Sequence, residues 1–255
     1  MVGKWMKCAA AGAALMMSAS ALAAPANVRA AVAATSARTA TNIERDAGRK
    51  PAEVLAFLGL QRGASVLDAF GGNLYWAEIF SPAVGPKGRV TIWQPTQFLS
   101  DKTRAGVAAF TAAHPNVTLI SSPFEAPDLG RNAYDFTLIN LDYHDVYWTN
   151  EKNKIVRMEP QAWLKRLYAA VKPGGIVGII DHSAIAGSDP RASVEALHRI
   201  DEAVVRADFK RAGFQLVATS NLLRNPADDR KVGVFDAKIR GKTDRFILKF
   251  RKPRR

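Results

Sequence analysis

A chain of 255 residues, 48 % of them hydrophobic, is long enough for one α/β domain with a full core. Its net charge of +13 is scattered rather than gathered with aromatic residues, apart from the tail Arg251-Lys252-Pro253-Arg254-Arg255, so it reads as a solvated surface and not as a nucleic-acid interface. The one cysteine, Cys8, lies at the very start, which leaves the rest without a disulfide, a thiol nucleophile or a thiolate metal site.

Residues 1–23 have the pattern of a secretory signal peptide. Lys4 and Lys7 are followed by a short apolar run, Ala9 to Met17, and by a small-residue cleavage pattern at Ala21-Leu22-Ala23. Cleavage there predicts an exported, periplasmic protein with net charge +11 and no further membrane span. Residues 24–40 lack a period and read as a flexible leader, so the domain is expected over 41–255. Thr41-Asn42-Ile43-Glu44 has capping-box spacing for a helix. Pro51 opens a second one, with Val54, Leu55 and Leu58 on one face and Gly59 near its end.

Strand and helix signals then alternate. Strands are expected over Ser65–Phe70, Val90–Gln94, Val117–Ser121, Asp135–Leu141 and Ile176–Asp181. Helices are expected over Leu74–Phe80, from Ser100 to about Ala113, from Glu159-Pro160 to Lys172-Pro173-Gly174-Gly175, and over about Glu195–Ala212. In the last, Leu197, Ile200, Val204 and Ala207 share a face, which puts His198 on a helix. Gln215–Ser220 and Arg245–Arg251 close the chain as two strands that can pair antiparallel. The segment Leu223–Asp244 is a long connection without a period, of the kind that is often functional. The pattern implies βαβ units and a mostly parallel sheet with helices on both faces.

Ligands of such sheets bind beyond the carboxyl ends of the strands. The residues expected there are Asp68, Gly71, Gly72 and Asn73 after the first strand and Gln94 after the second. Asp142, His144, Asp145, Tyr147 and Trp148 follow the fourth, and Asp181 and His182 end the fifth. The Gly71-Gly72 turn lets the backbone approach a ligand, although such turns also occur for steric reasons alone. His144 beside Asp145, and Asp181 beside His182, could supply a general base near neutral pH. Adjacent side chains can equally point apart and cap loops. Together these groups could hold a metal through N and O ligands; spacing alone assigns none.

Several stretches resemble class I S-adenosylmethionine (SAM) dependent methyltransferases of the exported bacterial type: Arg45-Asp46-Ala47-Gly48-Arg49-Lys50-Pro51, Tyr143-His144-Asp145-Val146-Tyr147-Trp148, Lys172-Pro173-Gly174-Gly175, Asp181-His182, His198-Arg199-Ile200-Asp201 and Leu222 to Asp229. The resemblance implies a Rossmann-like fold with a seven-stranded sheet. It implies SAM around Asp68, Gly71, Gly72, Asn73, Gln94 and Asp142. It also implies a small-molecule acceptor, with His144 or His182 and their carboxylates, Asp145 included, removing a proton while Tyr147 and Trp148 pack against it. The pattern departs from the family where Gly-x-Gly-x-Gly follows the first strand: those places fall on Phe70, Gly72 and Leu74. The acidic place after the second strand falls on Gln94. These departures support a second reading, a non-catalytic exported protein that binds another small molecule or a partner on the same fold without SAM. A third is a different His/Asp-based enzyme. The sequence leaves the acceptor and the oligomeric state open.

Overall fold

The computed structural model describes residues 24–254; the signal-peptide expectation for 1–23 lies outside them. Seven strands form one sheet in the order β3-β2-β1-β4-β5-β7-β6. They are β1 (Ser65–Ala69), β2 (Arg89–Trp93), β3 (Val117–Ile120), β4 (Tyr134–Asn140), β5 (Val171–His182), β6 (Gln215–Ser220) and β7 (Arg245–Arg251). β1 to β5 run parallel, and β7 inserts antiparallel between β5 and β6. This is the Rossmann-like, mostly parallel sheet expected from the strand–helix alternation.

The helices are α1 (Ala26–Ala33), α2 (Ala40–Ile43), α3 (Asp46–Arg49), α4 (Pro51–Leu58), α5 (Ala77–Val84), α6 (Asp101–Ala113), α7 (Pro160–Ala170), α8 (Pro190–Leu197) and α9 (Glu202–Arg211). Two hydrophobic clusters cover the two faces of the sheet. One joins α1, α4 and α5 through Val28, Leu55, Leu58 and Phe80. The other joins α7 and α9 through Trp163, Leu167 and Phe209. Among the described residues no helix is long and apolar enough to cross a membrane.

Several expected boundaries move, each for a local reason. The segment 24–40, read as a flexible leader, carries α1, which buries Val28 and Ala31. Only two positions three apart face the core, too few to show as a period in sequence. The capping-box helix is a single turn, α2, and Thr39 rather than Thr41 precedes it. The stretch Lys172 to Gly175 does not end a helix. α7 stops at Ala170 and β5 runs from Val171, with a register irregularity against Tyr134 and Phe136. The helix expected over Glu195–Ala212 is two helices. α8 ends at His198 in the left-handed region (φ 50°), Ile200 pairs with Ser183 beyond β5, and Asp201 starts α9 by accepting from Ala203 N. In α9 the buried face carries Val205, Asp208 and Phe209, while Ala207 is exposed.

Candidate functional site at the carboxyl edge of the sheet

The carboxyl ends of β1, β2, β4 and β5 converge where the strand order reverses, between β1 and β4. Beyond β4, Leu141 takes a left-handed conformation (φ 67°) and Asp142 leads into a short 3-10 turn, Tyr143–Tyr147. That turn drops His144 onto the end of β5. Asp181, completely buried, accepts from the His144 backbone N–H at 2.9 Å and bonds the His144 ring Nδ1 at 2.7 Å. It also accepts from the His182 N–H at 2.8 Å. One carboxylate thus fixes both histidines.

The two imidazoles differ in charge. Burial works against a proton on His144, but Asp181 and Asp145 outweigh it and raise its pKa to about 9. His182 is pushed well below the usual histidine range by burial first, then by the charge of His144 and Arg245. It is neutral at pH 7. Its Nδ1 lies 2.7 Å from Thr243 Oγ1, and the sheet register sets Arg245 beside it.

His198, expected on a helix, joins this group. Its Nδ1 is 3.6 Å from Asp145 Oδ1, which is itself 3.3 Å from His144 Nε2. The three ligand atoms lie within 4.8 Å of one another, and these residues could hold one metal ion. The hint available in sequence was the His198-Arg199-Ile200-Asp201 stretch, where Asp201 marks a helix start. Trp148 stands edge-on to His198 at 5.0 Å between centroids. Tyr147 is not brought to the histidines. Its hydroxyl donates to Asp208 of α9 at 2.5 Å, alongside Tyr143 at 2.8 Å, and both rings belong to the core.

Two cavities flank the β4 end. The first, about 280 Å³, is lined by Phe70, Gly72, Asn73, Gln94, Thr103 and Asp142, with Phe98 and Asp145 completing it. The second, about 440 Å³, lies on the other side of Leu141, with His182 in its wall. Larger cavities of about 620 and 630 Å³ open at the amino ends of the strands, near Arg89 and Gln215. They lie away from the His–Asp group.

The first cavity lies beyond the ends of β1 and β2, where the sequence resemblance leads one to expect SAM. Phe70 and Leu74 adopt left-handed backbone (φ 62° and 64°), the conformation that glycine supplies without strain. The Phe70 ring turns into the core against Trp93 and Phe124, at 4.9 and 5.3 Å between centroids, so that it floors the cavity. Leu74 packs against the opposite cluster and does not line the cavity. Gly72 brings its N–H to Gln94 Oε1 at 2.9 Å; a Cβ there would stand 2.6 Å from that oxygen. Asp68 lies below the turn, 2 % exposed and outside the lining, with its pKa raised to about 8 by burial. Burial, together with Asp145, also raises Asp142 well above the carboxylate range. The lining is amide, hydroxyl and carboxyl in character, with no cationic side chain among the described residues. That donor set suits a ligand with hydroxyls and positive charge, which SAM has. The volume is close to the lower end of small-molecule sites, at roughly 300 Å³.

The long connection after β6 is pinned at this edge. Arg199, fully buried, makes a two-pronged pair with Asp228 at 2.8 and 3.1 Å, and Asp228 also accepts from Asp244 N at 2.6 Å. Arg224 and Asn225 bond Ser183 and Asp244. Arg240 and Lys242 line the second cavity instead.

No family model and no curated protein matches the sequence. Solved structures do match in shape. A SAM-dependent methyltransferase from Aquifex aeolicus superposes with a TM-score of 0.56 at 19 % identity, over 86 % of this chain and 96 % of that one. The chain has the class I methyltransferase fold. A Burkholderia thailandensis 1,6-didemethyltoxoflavin-N1-methyltransferase, solved with bound 1,6-didemethyltoxoflavin and S-adenosylhomocysteine, gives 0.53 at 17 % over 86 % and 81 %. The cyclase SpnF gives 0.58 at 17 % over 82 % of each chain. At these identities the likeness establishes architecture, and the cyclase shows that the fold hosts other chemistry.

Proposed function

We propose that the chain is a SAM-dependent methyltransferase acting on a small-molecule acceptor. The observation that carries this is the pair of cavities on either side of the β4 end, with a neutral histidine facing one of them. The first cavity would hold SAM, its hydroxyls on Asn73, Gln94, Thr103 and the Asp142 carboxyl and its positive groups toward Asp145. SAM when bound supplies an electrophilic methyl group. The acceptor would sit in the second cavity.

His182 suits the base role because it is uncharged at pH 7, and Thr243 fixes its ring by holding Nδ1. It takes the acceptor proton at Nε2. His144 stays protonated, and Asp181 locks it in place. The rest of the catalysis is positioning of donor and acceptor by a rigid strand end. The leader at 1–23 supports export with cleavage after Ala23. Amino-terminal sequencing of secreted protein should then read Ala24, and Met1 would refute processing.

The test of the cofactor is a thermal melt of residues 24–255 with and without SAM. SAM at about a hundred times its dissociation constant adds ~2.7 kcal/mol, which for a domain of this size raises Tm by roughly 5–10 °C. No shift with SAM in the millimolar range overturns the reading.

A further inference from the structure

The second cavity has an electrostatic property that methyl transfer does not require. Its lining includes Arg45, Arg49, Arg240, Lys242 and Arg245, and its one carboxylate is Glu44, exposed at the rim. Among the described residues none of the five cations has a carboxylate within 4.0 Å. Elsewhere the protein pairs its buried arginines: Arg38 with Asp46 and Arg199 with Asp228.

Arg245 is buried beside His182 and, among the described residues, bonds only the carbonyls of Gly48 and Thr243. Arg49 lies over the Tyr75 ring at 4.2 Å, and its Nη1 is buried without a hydrogen-bond partner. Of the carboxyls that act on it at longer range, Asp68 is raised toward the neutral form by burial. Burying a guanidinium without a counter-ion is costly. Gathering five cations round a concave site of small-molecule size compounds that cost unless a ligand supplies the missing charge.

We propose that this cavity is an anion site, and that the small molecule it takes carries a carboxylate or a phosphate held by Arg49 and Arg245, with Arg240 and Lys242 closing from the loop. The planar fork of each guanidinium matches either group through paired N–H donors. The site sets the anion next to His182, so the group that loses a proton is a neighbour of the acidic group on one molecule. Calling that molecule a methyl acceptor rests on the methyltransferase reading; the anion site itself does not.

Titration calorimetry of residues 24–255 with inorganic phosphate and, separately, with succinate tests it. We expect one or both to bind, and the tighter of the two names the acidic group. Arg245→Gln should weaken that binding at least tenfold while leaving the SAM-induced shift in Tm intact. Should that buried change impair folding, the surface double variant Arg240→Gln/Lys242→Gln should still weaken binding several-fold. Absence of heat with both probes, or equal affinity in wild type and the surface variant, overturns the proposal. Probe binding without any SAM shift would sink the methyltransferase reading and leave the anion site standing.

Discussion

His144 and His182 hang from the same carboxylate and yet are driven in opposite directions, a division that adjacent letters in a sequence do not show. Asp181 faces the ring of one and only the backbone of the other. The consequence for stability follows from linkage. The folded pKa of His144, about 9, lies above its unfolded value of 6.5. Its contribution is therefore fully present below pH 6.5 and is lost as pH rises through 9, on the order of 3 kcal/mol over that window. His144→Gln should remove this part of the alkaline fall in Tm, and a histidine resonance titrating near 9 should vanish with it in NMR spectra. Asp68 behaves as a buried acid with a raised pKa. Its stabilising neutral form is complete below pH 3.8 and is lost as pH rises toward 8. Asp68→Asn keeps an acceptor and cannot ionise. It should melt higher than wild type at pH 7.5 by an amount worth a few kcal/mol, and the difference should shrink by pH 4. A lower melting point at both pH values would show that the ionised carboxylate is needed where it lies.

Elements whose positions are decided by their own residues were readable, and those decided by a distant partner were not. β1, β2 and β4 show as short stretches rich in apolar residues because most of their positions are buried, and α6 begins where Ser100 accepts from Thr103 N. The division of α8 from α9 was hidden because Leu197, Ile200 and Val204 keep helical spacing through it. What breaks the helix is the bridge from Ile200 to Ser183 and the burial of Arg199 against Asp228, 29 residues on. The same pair carries His198 to Asp145, so the least legible junction positions a site residue. Arg199→Met should cost about 3–5 kcal/mol in urea melts, since it strands the Asp228 carboxylate. It should also increase hydrogen exchange across 223–244, the segment that Asp228 ties down. Unchanged exchange there would show that other contacts hold the connection. Likewise α1 was invisible as a short Ala-rich stretch; Val28→Asp should cost more than 2 kcal/mol because Val28 has no access to water.

For the molecule as a whole the open matter is which part of its charge does specific work. A chain of net charge +13 attracts any anion weakly, and a field of that kind could imitate a site. The two can be separated by salt. The Debye length shrinks from about 10 Å at 0.1 M to about 3 Å at 1 M, which screens exposed charges while hardly touching groups in contact with a ligand inside a cavity. Arg245→Gln removes a single charge, too little to alter the general field, and it removes that charge from a buried position beside His182. If the cavity binds through contact, phosphate affinity should fall with salt in wild type and variant alike, and the ratio between them should persist at high salt. A ratio that collapses to one would mean that the protein's overall field, and not Arg245, gathered the ion. The same experiment bears on the proposed methyl transfer. Contact binding places an acidic group in a fixed orientation next to His182, whereas a field only raises the local concentration of anions and orients nothing, and only the first could present a chosen atom to the methyl donor that the proposed function places across the end of β4.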